Sequence, residues 1–328
     1  MKNKLLRSLS RLGMVAALLA GHWGSATAAW PEKPLRVILP YAAGGSGDII
    51  FRSIQAGLEK GLGQSAVVDF RTGANGLIGV REAVKSPADG YTLLFGPTNN
   101  FVIDQFLNKD LGFDPLQVFV PVTIVADTPY LLVINAATPA GNYAELARYA
   151  GANRGKLNYA SPGAATVPHL SGRMLSDAMN ANMTHVPFRG NQPAVVALLA
   201  NEVQMIVHSY GSIAPLLKSG KLRALAVASP ERLRALPDVP TTVEAGIPEG
   251  VLLSNWWALA APGGTNADVV NRLAREIRTT LADPELQKRY FDQGWTIGGT
   301  TPAESAQRMR REAGAWKTIV ERSGAKAE

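Results

Sequence analysis

Residues 35–58 read LRVILPYAAGGSGDIIFRSIQAGL. Leu35 to Leu39 is a short, mostly apolar run of strand length. Pro40 closes it, a glycine-rich loop follows, and Ile49 to Leu58 carries a helical pattern. The same order repeats at once. Ala66 to Phe70 reads as a strand, RTGANGLIG (71–79) as its loop, Leu77 to Val84 as a helix and Thr92 to Phe95 as a third strand. Strand, loop, helix, strand is the pattern of an α/β fold with parallel pairing.

The second half continues in this style. Strands are expected at Leu131 to Ile134, Leu157 to Ala160, His185 to Val186, Met205 to Val207 and Leu225 to Ala228. Asn142 with Glu145 makes a helix start ahead of Leu146, Ala147 and Ala150. Thr265 with Asp268 opens another, and Thr301, Pro302 and Glu304 supply N-cap, first-turn proline and N3 carboxylate. Ala306, Met309, Ala313, Trp316 and Val320 then form one apolar stripe. Breaks are expected near Asp127 to Tyr130 and near Leu252 to Trp257. The chain would leave one lobe (29–127), build a second (128–252) and return (253–328), with a cleft between them. There is no internal repeat or low-complexity tract.

Composition limits the function. The chain has 328 residues, 46% hydrophobic and 18% charged, which excludes disorder. Its net charge of +7 is concentrated at the start, where Lys2, Lys4, Arg7 and Arg11 precede the apolar run Leu12 to Ala20 and the small residues Ala26 to Ala28. That is a signal-peptide pattern with expected cleavage after Ala28. The run is too short for a permanent membrane span. Losing it leaves +3, so the basicity is no sign of nucleic-acid binding. There are 0 cysteines, hence no disulfide, lipid-anchored cysteine, thiolate nucleophile or Cys-ligated metal.

Three loops follow strands and open helices. In PYAAGGSGD (40–48), Gly44 and Gly45 let a ligand approach the backbone, and helix-start N–H groups favour an anion. The plainer reading is a tight turn with Ser46 as N-cap and Asp48 in the first helical turn. In RTGANGLIG, Gly73, Gly76 and Gly79 are three apart, which is neither the dinucleotide fingerprint nor a P-loop. Two such loops on neighbouring strands would aim amides at one carboxylate. In NYASPGAATVPHL (158–170), Ser161, Gly163 and Thr166 sit at the matching place in the second lobe, to grip a ligand's far end or, for Thr166, to cap a helix. Arg189, in HVPFRG, is a cleft partner or a solvated charge. Trp256, Trp257 and Phe188 are core or pocket wall. His169, His185 and His208 match no metal motif, and no G-x-S-x-G elbow is present.

These runs resemble the Bug family, the periplasmic receptors of tripartite tricarboxylate transporters. WPEKPLRVILPYAAGGSGD, FRTGANGLIG, SPADGYTLL, GKLNYASPGAATVPHL, HVPFRG, KSGKLRALAVASPERLRALPDVPTTVEAG and WWALAAPGGT carry the resemblance across the mature chain. It implies a two-lobed periplasmic-binding-protein (Venus flytrap) fold, each lobe a mostly parallel sheet flanked by helices, closing on a small organic carboxylate. It implies that Tyr41, Ala42, Gly44, Gly45 and Gly73, Ala74, Asn75, Gly76 hold one carboxylate through backbone amides and bridging waters. Ser161, Gly163, Ala165, Thr166 and Arg189 would form the opposing wall. The implied partners are membrane permease subunits, the location is the periplasm, and no enzyme activity, cofactor, metal or nucleic acid is expected. Three positions depart from the pattern: Ala165 replaces a common Gly, Asn266 a usual proline, and Gln204 a usual Asp, a candidate ligand-binding position that would alter specificity if it reaches the cleft. Asp48 is retained and is expected to order the first loop or bind ligand waters. SPGAAT and HVPFRG contain no acid to meet an ammonium, so the expected ligand has no amino group. A sensor-kinase ligand receptor is the alternative function, and a secreted hydrolase is disfavoured.

Overall fold

A computed structural model describes residues 30–108, 110–164, 166–188 and 190–323. The expected signal peptide, Ala165 and Arg189 lie outside the described residues. Strand β1 (Leu35–Leu39) leads into helix α1 (Ser46–Leu62), β2 (Ala66–Phe70) into α2 (Leu77–Val84), and β3 (Thr92–Pro97) follows. Strand β4 (Phe119–Asn135) runs for 17 residues. Beyond it come α3 (Tyr143–Ala152), β5 (Asn158–Ser161), α4 (Val167–Ala178), β6 (Thr184–Pro187), α5 (Asn191–Leu199), β7 (Met205–Ser209), α6 (Tyr210–Lys218) and β8 (Leu222–Val227). Strand β9 (Ser254–Pro262) returns the chain to α7 (Ala267–Leu281), α8 (Pro284–Asp292), β10 (Thr296–Ile297) and α9 (Pro302–Ser323).

The long strand β4 belongs to two sheets. From Phe119 to Pro129 it pairs with β9, which in turn pairs with β3. From Tyr130 onward it pairs with β7, and from Leu131 with β8. In the first sheet β1 is parallel to β2 and β3; in the second β5 is parallel to β6 and β7. Every pair made by β4 or β9 is antiparallel. Each sheet is therefore mixed, a correction to the expectation of mostly parallel sheets. The reason is topological: one strand carries the chain outward and its neighbour carries it back. Bulges at Pro121/Thr123 and Ile124/Ala126 shift the register of β4 against β9, and such bulges bend a strand.

Helix starts follow local chemistry. Asn142 Oδ1 accepts the Glu145 N–H at 2.9 Å, and Glu145 Oε2 accepts the Gly141 N–H at 2.6 Å. At α9, Thr301 Oγ1 accepts the Glu304 N–H at 3.2 Å and Glu304 returns the favour to the Thr301 N–H at 2.7 Å, a capping box. At α7 the cap is Asn266, whose Oδ1 accepts the Asp268 N–H; Thr265 instead donates its hydroxyl to Pro262 O. The α9 stripe is buried at Met309, Ala313, Trp316 and Val320, and half-buried at Ala306. It packs with Ile38, Leu94 and Phe101 of the first sheet's side and with Val167 and Leu170 of α4. Thus one apolar cluster joins both halves of the molecule.

Gly314 lies on the exposed face of α9 with nothing within 4 Å of where a Cβ would stand. Gly314→Ala should therefore stabilise by about 0.5–1 kcal/mol, since glycine costs that much in a helix interior. Urea unfolding checks it; a loss of stability would show that this face of α9 is occupied by another surface. Among the described residues no helix is long and apolar enough to cross a membrane.

Candidate ligand-binding site

A cavity of about 440 Å³ lies between the two sheets, at the carboxyl ends of β1, β2 and β3 and of β5 and β7. This is where open α/β sheets place ligands. Tyr41, Ala42, Gly45, Ser46 and Gly47 line it from the first loop, and Thr72, Gly73, Asn75 and Gly76 from the second. Thr166, Val167, Pro168, Asn191 and Ser209 face them from the other half. Thr128 and Tyr130 of β4 and Asn255 and Trp257 of β9 lie at the crossing.

The first loop is ordered by Asp48. Its carboxylate accepts the Gly44 N–H at 2.8 Å and pairs with Arg52 at 2.7 Å. Gly44 takes φ 79, which a side chain would resist. Gly45, not Ser46, is the N-cap; Ser46 is the first residue of α1. The second loop runs through four residues at positive φ, Gly73 to Gly76, two of them the non-glycines Ala74 (46) and Asn75 (52). Strain of this kind persists where its surroundings enforce it, and it clusters at functional sites. Tyr41 enforces it here, donating its hydroxyl to Asn75 O at 3.1 Å and so tying the two loops together.

In the third loop Thr166 is both wall and cap: it lines the cavity, and its Oγ1 accepts the His169 N–H at 3.4 Å. Ser161 is buried behind the wall. Its hydroxyl donates to Gly163 O at 2.7 Å and lies 2.7 Å from His185 Nε2. The His185 ring is stacked between Tyr159 at 5.0 Å and His169 at 3.9 Å. Burial first, then the neighbouring His169, pushes His185 down to about 4. The Ser161–His185 pair thus sits under the wall with a neutral imidazole and no carboxylate bound to it among the described residues. That arrangement orders a loop.

The structure brings Tyr41, Ala42, Gly45, Gly73, Asn75, Gly76 and Thr166 around one cavity. Gly44, Asp48, Ala74, Ser161 and Gly163 do not line it; they hold the loops that do. Gln204 is a correction. It precedes β7, accepts the Asn158 N–H at 2.9 Å and donates to Asn201 O at 3.0 Å. Five residues of strand separate it from Ser209, roughly 16 Å, so it caps the far end of the sheet and its identity does not tune the cleft.

The two adjacent tryptophans divide the roles that the sequence left open. Successive strand residues point to opposite faces. Trp257 lines the cavity, stacked on Phe95 at 5.6 Å and edge-on to Tyr41 at 6.0 Å. Trp256 is fully buried, stacked on Phe101 at 5.9 Å, with Nε1 donating to Glu312 at 2.8 Å. Sequence reasoning missed Asn99, Asn191, Ser209 and Asn255. Asn191 and Ser209 did carry a signal, because each stands where a helix begins, as the recognised loops do.

The electrostatics come from backbone. Among the described residues, five helices present their starts to the cavity: α1 through Ser46 and Gly47, α2 through Gly76, α4 through Thr166 to Pro168, α5 through Asn191 and α6 through Ser209. A helix N-terminus carries about half a positive charge and unpaired N–H groups. No described residue lining the cavity is Asp, Glu, Lys, Arg or His. The arrangement suits an anion held by amides and hydroxyls.

Known proteins resemble this chain in sequence and in fold. The family described as the tripartite tricarboxylate transporter family receptor matches residues 50–325. The protein BugT of Bordetella pertussis is 33% identical over 298 residues, covering 90% of this chain and 91% of BugT. MatC from Rhodopseudomonas palustris, solved with bound malate, aligns with a TM-score of 0.77 at 30% identity over 89% of this chain and 100% of MatC. A second R. palustris protein, solved with adipate, aligns with a TM-score of 0.81 at 29% identity over 90% of this chain and 99% of its own.

Proposed function

We propose, from the premise that the chain belongs to the tripartite tricarboxylate transporter receptor family and has the α/β periplasmic-binding-protein fold, that it captures a small organic carboxylate between its lobes and delivers it to permease subunits of such a transporter. The observation that carries this reading is the convergence of five helix starts on a cavity whose described lining has no charged side chain. The lobes are residues 29–127 with 253–328, and 128–252. The chain is exported, cleaved after Ala28 and works in the periplasm as a binder without catalysis. Malate and adipate, held by two relatives, are both dicarboxylates, which supports the ligand class. Hydrogen bonds to a charged group contribute roughly 1.5–3 kcal/mol each. Three or four of them, less desolvation and ordering, leave roughly micromolar affinity.

The ligand carries no amino group. A buried ammonium needs a facing carboxylate or several acceptors, and the described cavity lining supplies no carboxylate. A thermal-shift series with malate, adipate, aspartate and glutamate tests both parts. Binding at a hundred times the dissociation constant stabilises by about 2.7 kcal/mol. Malate or adipate should raise the melting temperature more than their amino-bearing counterparts. No shift with any carboxylate would remove the binding reading. Tighter binding of aspartate or glutamate would remove only the claim about the amino group.

A further inference from the structure

Behind the wall formed by Tyr41 lies a buried polar pair with fewer partners than burial demands. Asn100 and Asp104 are 0% and 1% exposed. Asn100 Nδ2 donates to Asp104 Oδ2 at 3.1 Å. The amide oxygen of Asn100, Oδ1, and the second carboxylate oxygen of Asp104, Oδ1, have no partner. Two buried acceptors without a partner are an arrangement that a proton relieves.

This pair touches the binding loops. A Cβ placed on Gly76 would stand 3.1 Å from both Asn100 Nδ2 and Tyr41 Oη, so the three groups meet at the second loop. Burial pushes the Tyr41 hydroxyl up, and the nearby charge of Asp104 adds to it. Asp104 also follows an irregular turn, Asn99–Ile103, with π-type hydrogen bonding, a feature frequent at functional sites.

Among the described residues, the surroundings offer Asp104 no cation. Tyr41 faces it from the first loop, the Gly76 backbone from the second, and Asn99 and Asn100 belong to its own turn. Tyr130 of β4 acts on Tyr41. The α9 face in the same apolar cluster as this segment presents Met309, Ala313 and Trp316. No ion pair among the described residues includes Asp104. Burial, opposed by the Asn100 amide, pushes its carboxyl up to about 7.

We propose that Asp104, where it is ionised, takes up a proton when an anion enters the cavity, so that the carboxylate is then captured together with one proton. The inference rests on the carboxylate reading above. A ligand carboxylate at the two loops brings a second negative charge close to Asp104 across Tyr41 and Asn100. Two like charges in a poorly solvated site do not both stay ionised. With no cation among the described residues of the wall, the proton is what compensates.

The sign follows from linkage. Below about 7 Asp104 is already neutral, and binding needs no uptake. Above it the proton must be drawn from solvent, and affinity falls by up to tenfold per pH unit. His169, His185 and His208 are all pushed down, chiefly by burial, which disfavours their charged forms.

Calorimetric titration of malate and adipate at pH 6.5, 7.5 and 8.5, in two buffers of different ionisation enthalpy, reads affinity and proton uptake together. The wild-type protein should bind roughly 10- to 30-fold more weakly at pH 8.5 than at pH 6.5, with net proton uptake near one at pH 8.5. Asp104→Asn, and Asp104→Ser as a second neutral variant, should lose both the slope and the uptake. Wild-type affinity that is flat with pH, or a slope that survives in a folded variant, overturns the coupling while leaving the carboxylate reading intact. Should neither variant fold, the wild-type protein decides: affinity that is flat with pH and binding without proton uptake at pH 8.5 overturn the coupling. Failure of both dicarboxylates to bind removes this inference together with the reading it rests on.

Discussion

Gly47→Ala should weaken carboxylate capture at least tenfold, ~1.4 kcal/mol, and lower stability as well. Gly47 is the second residue of α1 and lines the cavity. A Cβ there would stand 2.3 and 2.5 Å from two ring carbons of Trp257. Phe95 is stacked against the ring and Tyr41 meets it edge-on, so the open direction is the cavity, where the displaced ring takes ligand space. Overpacking of this kind costs about 1–3 kcal/mol, more than the roughly 1 kcal/mol that alanine adds to a helix. Moving Trp257 also moves Tyr41, which ties the two anion loops together. Urea unfolding and titration with malate or adipate measure the two effects separately. Gly45→Ala is the milder comparison, since its Cβ meets only Ala42 O, at 3.3 Å. Wild-type affinity in Gly47→Ala would mean that the Trp257 ring does not shape the site.

Trp256→Ala should cost about 3–5 kcal/mol of stability. That is a large share of the 5–15 kcal/mol that holds a typical protein folded. Trp256 has no exposed surface, stacks on Phe101 and donates to Glu312. Glu312 also receives Arg308 at 2.7 Å, and Arg308 grips both carboxylate oxygens of Asp127 on β4. The indole is therefore one end of a chain linking the return strand, the last helix and the outgoing strand. Trp256→Phe keeps the ring packing and drops the hydrogen bond, so its loss should be intermediate. Denaturant unfolding of both variants provides the comparison. A loss below about 1 kcal/mol for Trp256→Ala, within the range of ordinary surface substitutions, would show that the crossing is held by its strand pairing alone.

The two positions illustrate different ranges of information. Trp256 and Trp257 are adjacent in sequence, and strand alternation requires only that they part. Which one meets the ligand depends on where β3 and α9 lie. Asp104 is similar. In sequence it is a single acid in NNFVIDQF, and nothing local marks it. It becomes notable only when Gly76 and Tyr41, each contributed by a different loop, close over it.

The local sequence determined β1, β2 and α2 to the residue, and the helix starts at Asn142 and Thr301. Those features rest on side-chain alternation and caps, whose reach is about four residues. The first two loops were legible for the same reason, since a glycine-rich turn between strand and helix is visible in the chain itself. Tertiary structure decided the rest. The expected strand at Leu131 to Ile134 grew into β4 because β9, more than a hundred residues later, supplies partners as far back as Phe119. Gln204 moved out of the site because β7 runs toward the cleft and Gln204 precedes it. The cavity itself exists only where, among the described residues, five helix starts from distant parts of the chain converge. A macrodipole acts over a few ångströms in space, whatever the separation along the sequence.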